Sequence, residues 1–185
     1  IQIVASADSG IKTLADLKGK RIAVGAPKSG TELNARDIFR GAGMSYKDFG
    51  KVEYLPFGES VELMKNRQLD ATLISAGLGV AAVRDLASAV PIVIIPIPAD
   101  VVAKIGEAAY QAGSIPADTY KGQSTAVPTV AVQNFLVTHE GVPAETVYVM
   151  TKSMFDNIDQ MTAAHAAAKA INKGTAATGM PVPLH

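Results

Sequence analysis

Two glycine-bearing turns hold the side chains with the most chemical promise. The first reads Gly25-Ala26-Pro27-Lys28-Ser29-Gly30-Thr31-Glu32 and lies between a β-branched run and an amphipathic stretch. Such a turn opens a helix whose first backbone N–H groups lack intrahelical partners and whose dipole favours an anion. Ser29, Gly30 and Thr31 are the candidate donors, through the amides of Gly30 and Thr31 and the hydroxyls of Ser29 and Thr31, and a carboxylate or phosphate is the ligand they suit. The loop is not a Walker A motif, because Thr31-Glu32 follows Gly30 where Lys then Ser/Thr is required. Nucleotide hydrolysis is therefore not expected. The same letters admit a structural role, since Ser29 and Glu32 have the spacing of a capping box.

The second turn reads Ser75-Ala76-Gly77-Leu78-Gly79-Val80-Ala81-Ala82 and fits the G-x-G-x-x-A form of the dinucleotide fingerprint. Its acidic partner would be Asp100, which follows Ile95-Pro96-Ile97-Pro98 and so misses the end of the next strand. A tight turn lining a cleft explains the same glycines. Other catalytic constellations are missing from the sequence. His139, His165 and His185 are scattered, none in H-E-x-x-H spacing, and read as solvated or capping residues. No serine sits in G-x-S-x-G. Asp8, Asp16, Asp70 and Asp85 each adjoin a turn, a cap or a helix face without forming a catalytic pair.

The elements that position these turns follow from the apolar pattern. Strand-like runs at residues 2–7, 21–24, 52–55, 71–75 and 92–95 alternate with helical stretches at 13–17, 31–42, 59–66 and 80–89. That alternation predicts an α/β fold with a mostly parallel sheet covered on both faces. The uninterrupted run at 92–95 is expected deep in the sheet. Residues 99–112 read as a helix, with Val102, Ile105 and Ala109 inward and Gly113 as its stop. Residues 127–137 form an extended segment roughly twice the usual strand length, and helical sequence runs from Pro143 through Phe155 and on to Ala170 in two pieces.

Composition sets the outer bounds. The 185 residues are 48% apolar, enough for a core, and 17 basic residues balance 17 acidic ones. A large cationic field for nucleic acid or anionic lipid is thus not expected. Without cysteine, disulfides, thiolate nucleophiles, sulfur-ligated zinc and iron–sulfur clusters are excluded, and the redox compartment stays open. The longest apolar stretch, residues 90–103, is broken by three prolines and Asp100, so no transmembrane helix is predicted. The chain opens without Met on a strand-like run and closes on Met180-Pro181-Val182-Pro183-Leu184-His185, which leads us to expect a piece of a longer protein.

The stretch from Ala5-Ser6-Ala7-Asp8-Ser9-Gly10 through Asp16-Leu17-Lys18-Gly19-Lys20-Arg21-Ile22-Ala23-Val24-Gly25 to Ser29-Gly30-Thr31 resembles type II periplasmic solute-binding proteins. In detail it resembles the TAXI family, the extracytoplasmic receptors of TRAP transporters. Asn34-Ala35-Arg36, Leu69-Asp70-Ala71, Val127-Pro128-Thr129-Val130-Ala131-Val132, Leu136-Val137-Thr138, Val147-Tyr148, Thr151-Lys152 and the closing Pro181-Val182-Pro183-Leu184-His185 extend the likeness. Lys28 departs from the glycine expected before Ser29, and the Gly77-Leu78-Gly79 stretch is richer in glycine than usual.

The resemblance implies a three-layer lobe of the periplasmic-binding-protein type II fold with crossover strands and C-terminal helices. Residues 1–8 would be the first crossover, 9–127 the second α/β lobe, 128–137 the return crossover, and 138–185 the helices returning to a first lobe that precedes Ile1. A small carboxylate-bearing or amino-acid solute, glutamate-like or another organic acid, would sit in the cleft and pass to the membrane subunits of a TRAP transporter. Ser29, Gly30 and Thr31 would form one rim, Ser75, Ala76 and Gly77 the other, with Thr129 and Val130 of the crossover completing this lobe's share. The location would be periplasmic or extracytoplasmic, with no cofactor, no metal, no nucleic acid, no direct membrane insertion and no bond made or broken. Two other classes compete: a dinucleotide-dependent oxidoreductase resting on residues 77–82, and the ligand-sensing domain of a transcription regulator, which needs an N-terminal DNA-binding segment.

Overall fold

The protein is described by a computed structural model that covers every residue except His165, Gly179 and Pro181. The expected role of His165 and the Pro181 of the closing motif thus lie outside the described residues. The chain divides into two compact units, Ile1–Val132 and Gln133–His185.

Unit one is built on a five-stranded sheet. Strands β1 (Gln2–Ser6), β2 (Arg21–Ala23), β3 (Lys51–Glu53), β4 (Ala71–Ile74) and β5 (Ile92–Ile95) lie in the order β3-β2-β4-β1-β5. β2 pairs in parallel with both β3 and β4. β1 is antiparallel to β4, with Gln2 opposite Ile74, and to β5, with Ile3 opposite Ile95. Four strands therefore point one way and β1, between two of them, points back, so the sheet is mostly parallel as its alternating sequence predicts.

Helices α1 (Gly30–Gly41), α2 (Phe57–Lys65), α3 (Ala81–Ala89) and α4 (Ala99–Ile105) cover both faces. Successive strand residues point to opposite faces, and the core divides accordingly. Ile3, Ala5, Ile22, Leu73 and Ile95 pack with Ala35, Ile38 and Phe39 of α1 and Val101, Val102 and Ile105 of α4. Val4, Ala23, Ile74 and Ile94 pack with Val61 and Met64 of α2 and Val83, Leu86 and Ala87 of α3. Each such Val, Leu or Ile contributes roughly 1.5–3 kcal/mol through burial. The helices α1 and α4 meet closely at Gly41, where a Cβ would come within 2.8 Å of the Val101 carbonyl oxygen.

Two expectations need correction. The run Ile92–Ile95 is an edge strand and not a central one; it reads as uninterrupted apolar sequence because Ile95 serves one core layer and Ile94 the other. The helix expected over residues 99–112 ends at Ile105, where Gly106 turns the chain left-handed at φ +78°. Residues beyond it form β6 (Tyr110–Ile115), paired antiparallel with β7 (Val127–Val132). The extended segment 127–137 holds regular strand only to Val132.

Unit two carries helices α5 (Ala144–Asp156), with Pro143 at its N-cap as expected, and α6 (Ile158–Ala164), then a 3₁₀ turn at Ala166–Ala170. Neither α5 nor α6 buries a described residue, and Tyr148, Val149 and Met150 are exposed. Of its described histidines, His139 makes a local contact, its Nδ1 accepting from the Gly141 amide at 3.1 Å, and His185 Nε2 lies 3.0 Å from the Val142 carbonyl oxygen.

Candidate functional site

The carboxyl ends of β2, β3, β4 and β5 and the amino end of β1 share one edge of the sheet. All eight residues singled out from the sequence gather there. Ser29, Gly30 and Thr31 follow β2; Ser75, Ala76 and Gly77 follow β4. Thr129 and Val130 join through Ile1: its backbone nitrogen donates to the Val130 carbonyl at 2.8 Å, and the Thr129 hydroxyl donates to the Ile1 carbonyl.

The turn after β2 is held by its backbone. Gly25 sits at φ +97°, and a Cβ there would lie 2.6 Å from Thr31 Cγ2. Only glycine lets Thr31 fold back over the turn. Lys28 also lies in the left-handed region, at φ +58°, which explains why glycine is the residue expected before Ser29. Ser29 caps α1, its hydroxyl accepting the Glu32 amide at 3.2 Å. The capping box is realised only in that half. The Glu32 carboxylate turns to Arg36 Nη2 at 2.7 Å and the Tyr46 hydroxyl at 3.1 Å. Burial, then the Glu32 charge, push the Tyr46 phenol above its ordinary pKa. The amides of Gly30 and Thr31 stand ahead of the first intrahelical bond, from Leu33 N–H to the Ser29 carbonyl. Beside them runs an open groove of about 530 Å³ lined by Pro27, Lys28, Glu32, Leu33, Arg36 and Tyr54.

The turn after β4 is fixed by partners that local sequence does not announce. Gln2, fully buried, donates from Nε2 to the carbonyls of Ala76 at 3.2 Å and Gly77 at 3.4 Å. The buried Tyr120 hydroxyl pairs with Gln2 Oε1 and accepts the Gly79 amide at 3.0 Å. Ser75 Oγ lies 2.9 Å from Asn34 Nδ2 of α1, so the two turns are tied together. Asn34 Oδ1 in turn lies 2.9 Å from the Tyr110 hydroxyl, which stands 2.7 Å from Asp37 Oδ2. Sequence reasoning missed Gln2, Asn34, Tyr110 and Tyr120. A glutamine inside an apolar strand and two of only five tyrosines were the available signals.

The sheet's opposite edge carries a separate polar group. Asp70 accepts from the Arg21 amide at 2.8 Å and from its guanidinium at 2.6 and 3.1 Å. The guanidinium bonds lead in holding the Asp70 carboxyl below the ordinary carboxylate range. Among the described residues no three His, Cys, Asp or Glu side chains cluster to hold a metal, and no helix is long and apolar enough to cross a membrane.

The sequence matches the NMT1-like family over residues 1–185. Among solved structures, the alkanesulfonate-binding protein SsuA from Xanthomonas axonopodis pv. citri, bound to MOPS, is 30% identical over 40% of this chain and 25% of its own, with a TM-score of 0.36. An ancestral arginine-binding protein bound to arginine is 20% identical over 92% of this chain and 59% of its own, with a TM-score of 0.47. The L-cystine solute receptor of Neisseria gonorrhoeae, in an unliganded open conformation, is 26% identical over 56% of this chain and 46% of its own, with a TM-score of 0.33. The matched part is thus 25% to 59% of the length of these proteins.

Proposed function

The chain belongs to the NMT1-like family, and from that premise we propose that it forms one wall of a periplasmic or extracytoplasmic receptor for a small carboxylate-bearing solute. The observation that carries this reading is the convergence on a single sheet edge of the start of α1, the turn at Ser75–Gly77 and the Thr129–Val130 strand. In open α/β sheets the carboxyl edge of the parallel strands is where ligands bind. Oriented N–H groups at a helix start hold an anion without placing a full positive charge beside it. Gly30 and Thr31 supply amides and Thr31 a hydroxyl, while Ser29 is committed to capping through its acceptor lone pair and keeps its proton to donate. A glutamate-like or other organic acid fits these donors.

In the finer reading, residues 1–8 are the first crossover, 9–127 the second lobe, 128–137 the return crossover, and 138–185 the helices returning to a first lobe that faces it. Delivery to a TRAP-type transporter rests on the likeness of the opening motif to the TAXI family. The competing oxidoreductase reading needs the turn after β4 to offer its amides to a pyrophosphate. Instead the Gly79 amide is taken by Tyr120.

The test is calorimetric titration of L-glutamate and related acids into the protein and its Thr31→Ala variant. Removing a hydrogen bond to a charged group should weaken binding by about 1 kcal/mol or more. Unchanged affinity removes the α1 start from the site.

A further inference from the structure

Ser75 stands at the end of a row of contacts whose protons can be counted. The row runs from Asp37 Oδ2 to the Tyr110 hydroxyl, to the Asn34 carboxamide, to Ser75 Oγ, with separations of 2.7, 2.9 and 2.9 Å. Tyr110 has one proton to give. Asp37 is a carboxylate that already pairs through Oδ1 with Arg40 Nη2 at 2.9 Å, and it can only accept. Burial, then Asp37, raise the Tyr110 pKa, which keeps the phenol protonated. The single proton therefore goes to Asp37 in a charge-assisted bond, the stronger of the two available.

What remains on the phenol oxygen facing Asn34 is a lone pair. With Oδ1 against it, two acceptors would meet at hydrogen-bonding distance with no proton between them, inside a half-buried site where an unmade bond is costly. Half a turn about the Asn34 Cβ–Cγ bond resolves every contact at once. The nitrogen then donates to the phenol oxygen, and the amide oxygen is left to accept from Ser75. Carboxamide oxygen and nitrogen are close to isosteric, so the proton count assigns them.

We propose that Asn34 holds this second orientation and that the Asp37–Tyr110–Asn34 relay thereby fixes Ser75 as a hydrogen-bond acceptor toward the cleft. The Ser75 proton is spent on Asn34, and only lone pairs face the solute. Resting on the reading that Ser75 lines the binding cleft, this narrows the solute class. The ligand brings a donor to Ser75, such as an ammonium, amide or hydroxyl, in addition to the carboxylate held at α1. An oxygen of a second carboxylate or of a sulfonate would meet lone pairs there and be rejected. Asn34 and Tyr110 are positioning residues, and Ser75 is the one that discriminates.

Two measurements test this. Neutron diffraction from hydrogen–deuterium-exchanged crystals of the protein should show two deuterons on the Asn34 atom facing Tyr110 and the Ser75 deuteron directed at Asn34. Two deuterons facing Ser75, or a Tyr110 deuteron on Asn34, overturn the relay without reference to any ligand. Matched titrations with L-glutamate, 2-hydroxyglutarate and glutarate should then place glutarate about tenfold or more below the other two, the worth of a lost donor at a charged or buried partner. Ser75→Ala should narrow that gap. If glutarate binds as tightly as glutamate while Thr31→Ala still weakens both, the relay's role in selection fails and the receptor reading stands. If the deuterons lie as expected while none of the three acids binds, the relay stands and the receptor reading fails.

Discussion

Replacing Gly25 by alanine puts a single methyl where the turn after β2 has no room. At φ +97° an L-residue is strained by roughly 1–2 kcal/mol. The new Cβ would also stand 2.6 Å from Thr31 Cγ2, 2.7 Å from Thr31 Cβ and 3.2 Å from the Glu32 amide nitrogen, against roughly 3.5–4.0 Å for carbons in comfortable contact. Thr31 cannot swing aside cheaply, because a β-branched side chain in a first helical turn has few χ1 choices. Overpacking of this kind costs roughly 1–3 kcal/mol, while the stiffer unfolded chain returns about 0.4–1 kcal/mol. The net expectation is a loss of about 2–4 kcal/mol, a large part of the roughly 5–15 kcal/mol available to a domain. Urea unfolding followed by far-ultraviolet circular dichroism reads it as a lower midpoint at unchanged slope. A loss below about 1 kcal/mol would show that the turn tolerates the methyl and that Gly25 does not set the start of α1.

Three further outcomes follow from neighbouring residues. Lys28→Gly should be neutral to stabilising by up to about 1 kcal/mol in the same urea assay, since relief of the left-handed backbone slightly exceeds the entropy glycine adds to the unfolded chain. Tyr120→Phe should cost about 1–3 kcal/mol by leaving the buried Gln2 oxygen without its donor, and should speed hydrogen exchange at the Gly79 amide while core amides of β4 stay protected. Asp70→Asn should lower stability at neutral pH but not in acid. A carboxyl whose folded pKa is depressed contributes above its unfolded pKa, near 3.9, and loses that contribution as pH falls toward the folded value. Melting temperatures of variant and parent should therefore converge below about pH 4.

The βα units were legible because their signals are local. The strand at Arg21–Ala23, the glycine turn and the stripe of Ala35, Ile38 and Phe39 lie within one short stretch, and both candidate turns stand at strand-to-helix junctions visible in the sequence. The position of Ile92–Ile95 was not legible, since an apolar run reports that both faces are covered and says nothing of how many strands flank it. Residues 99–112 misled for a different reason. Val102, Ile105 and Ala109 keep a helical spacing across Gly106, and β6 becomes a strand only by meeting Val127–Val132. The site shows the same division. The turns could be named, but their supports are separated from them by 41 residues for Asn34 and Ser75, by 74 for Gln2 and Ala76, and by 41 for Tyr120 and Gly79.

The place of β1 bears on how the chain assembles. Its five residues separate β4 from β5, so β5 has no route into the sheet except through β1. β2, β3 and β4 can associate as a parallel unit from within residues 21–74 alone, whereas completing the ladder requires Ile3 to find Ile95. Contacts of such long sequence separation are slow to form. Until β4 and β5 have followed it in the chain, β1 presents unpaired N–H and C=O groups on both its edges. The segment that organises the finished sheet is then the one most open to association with other chains during synthesis.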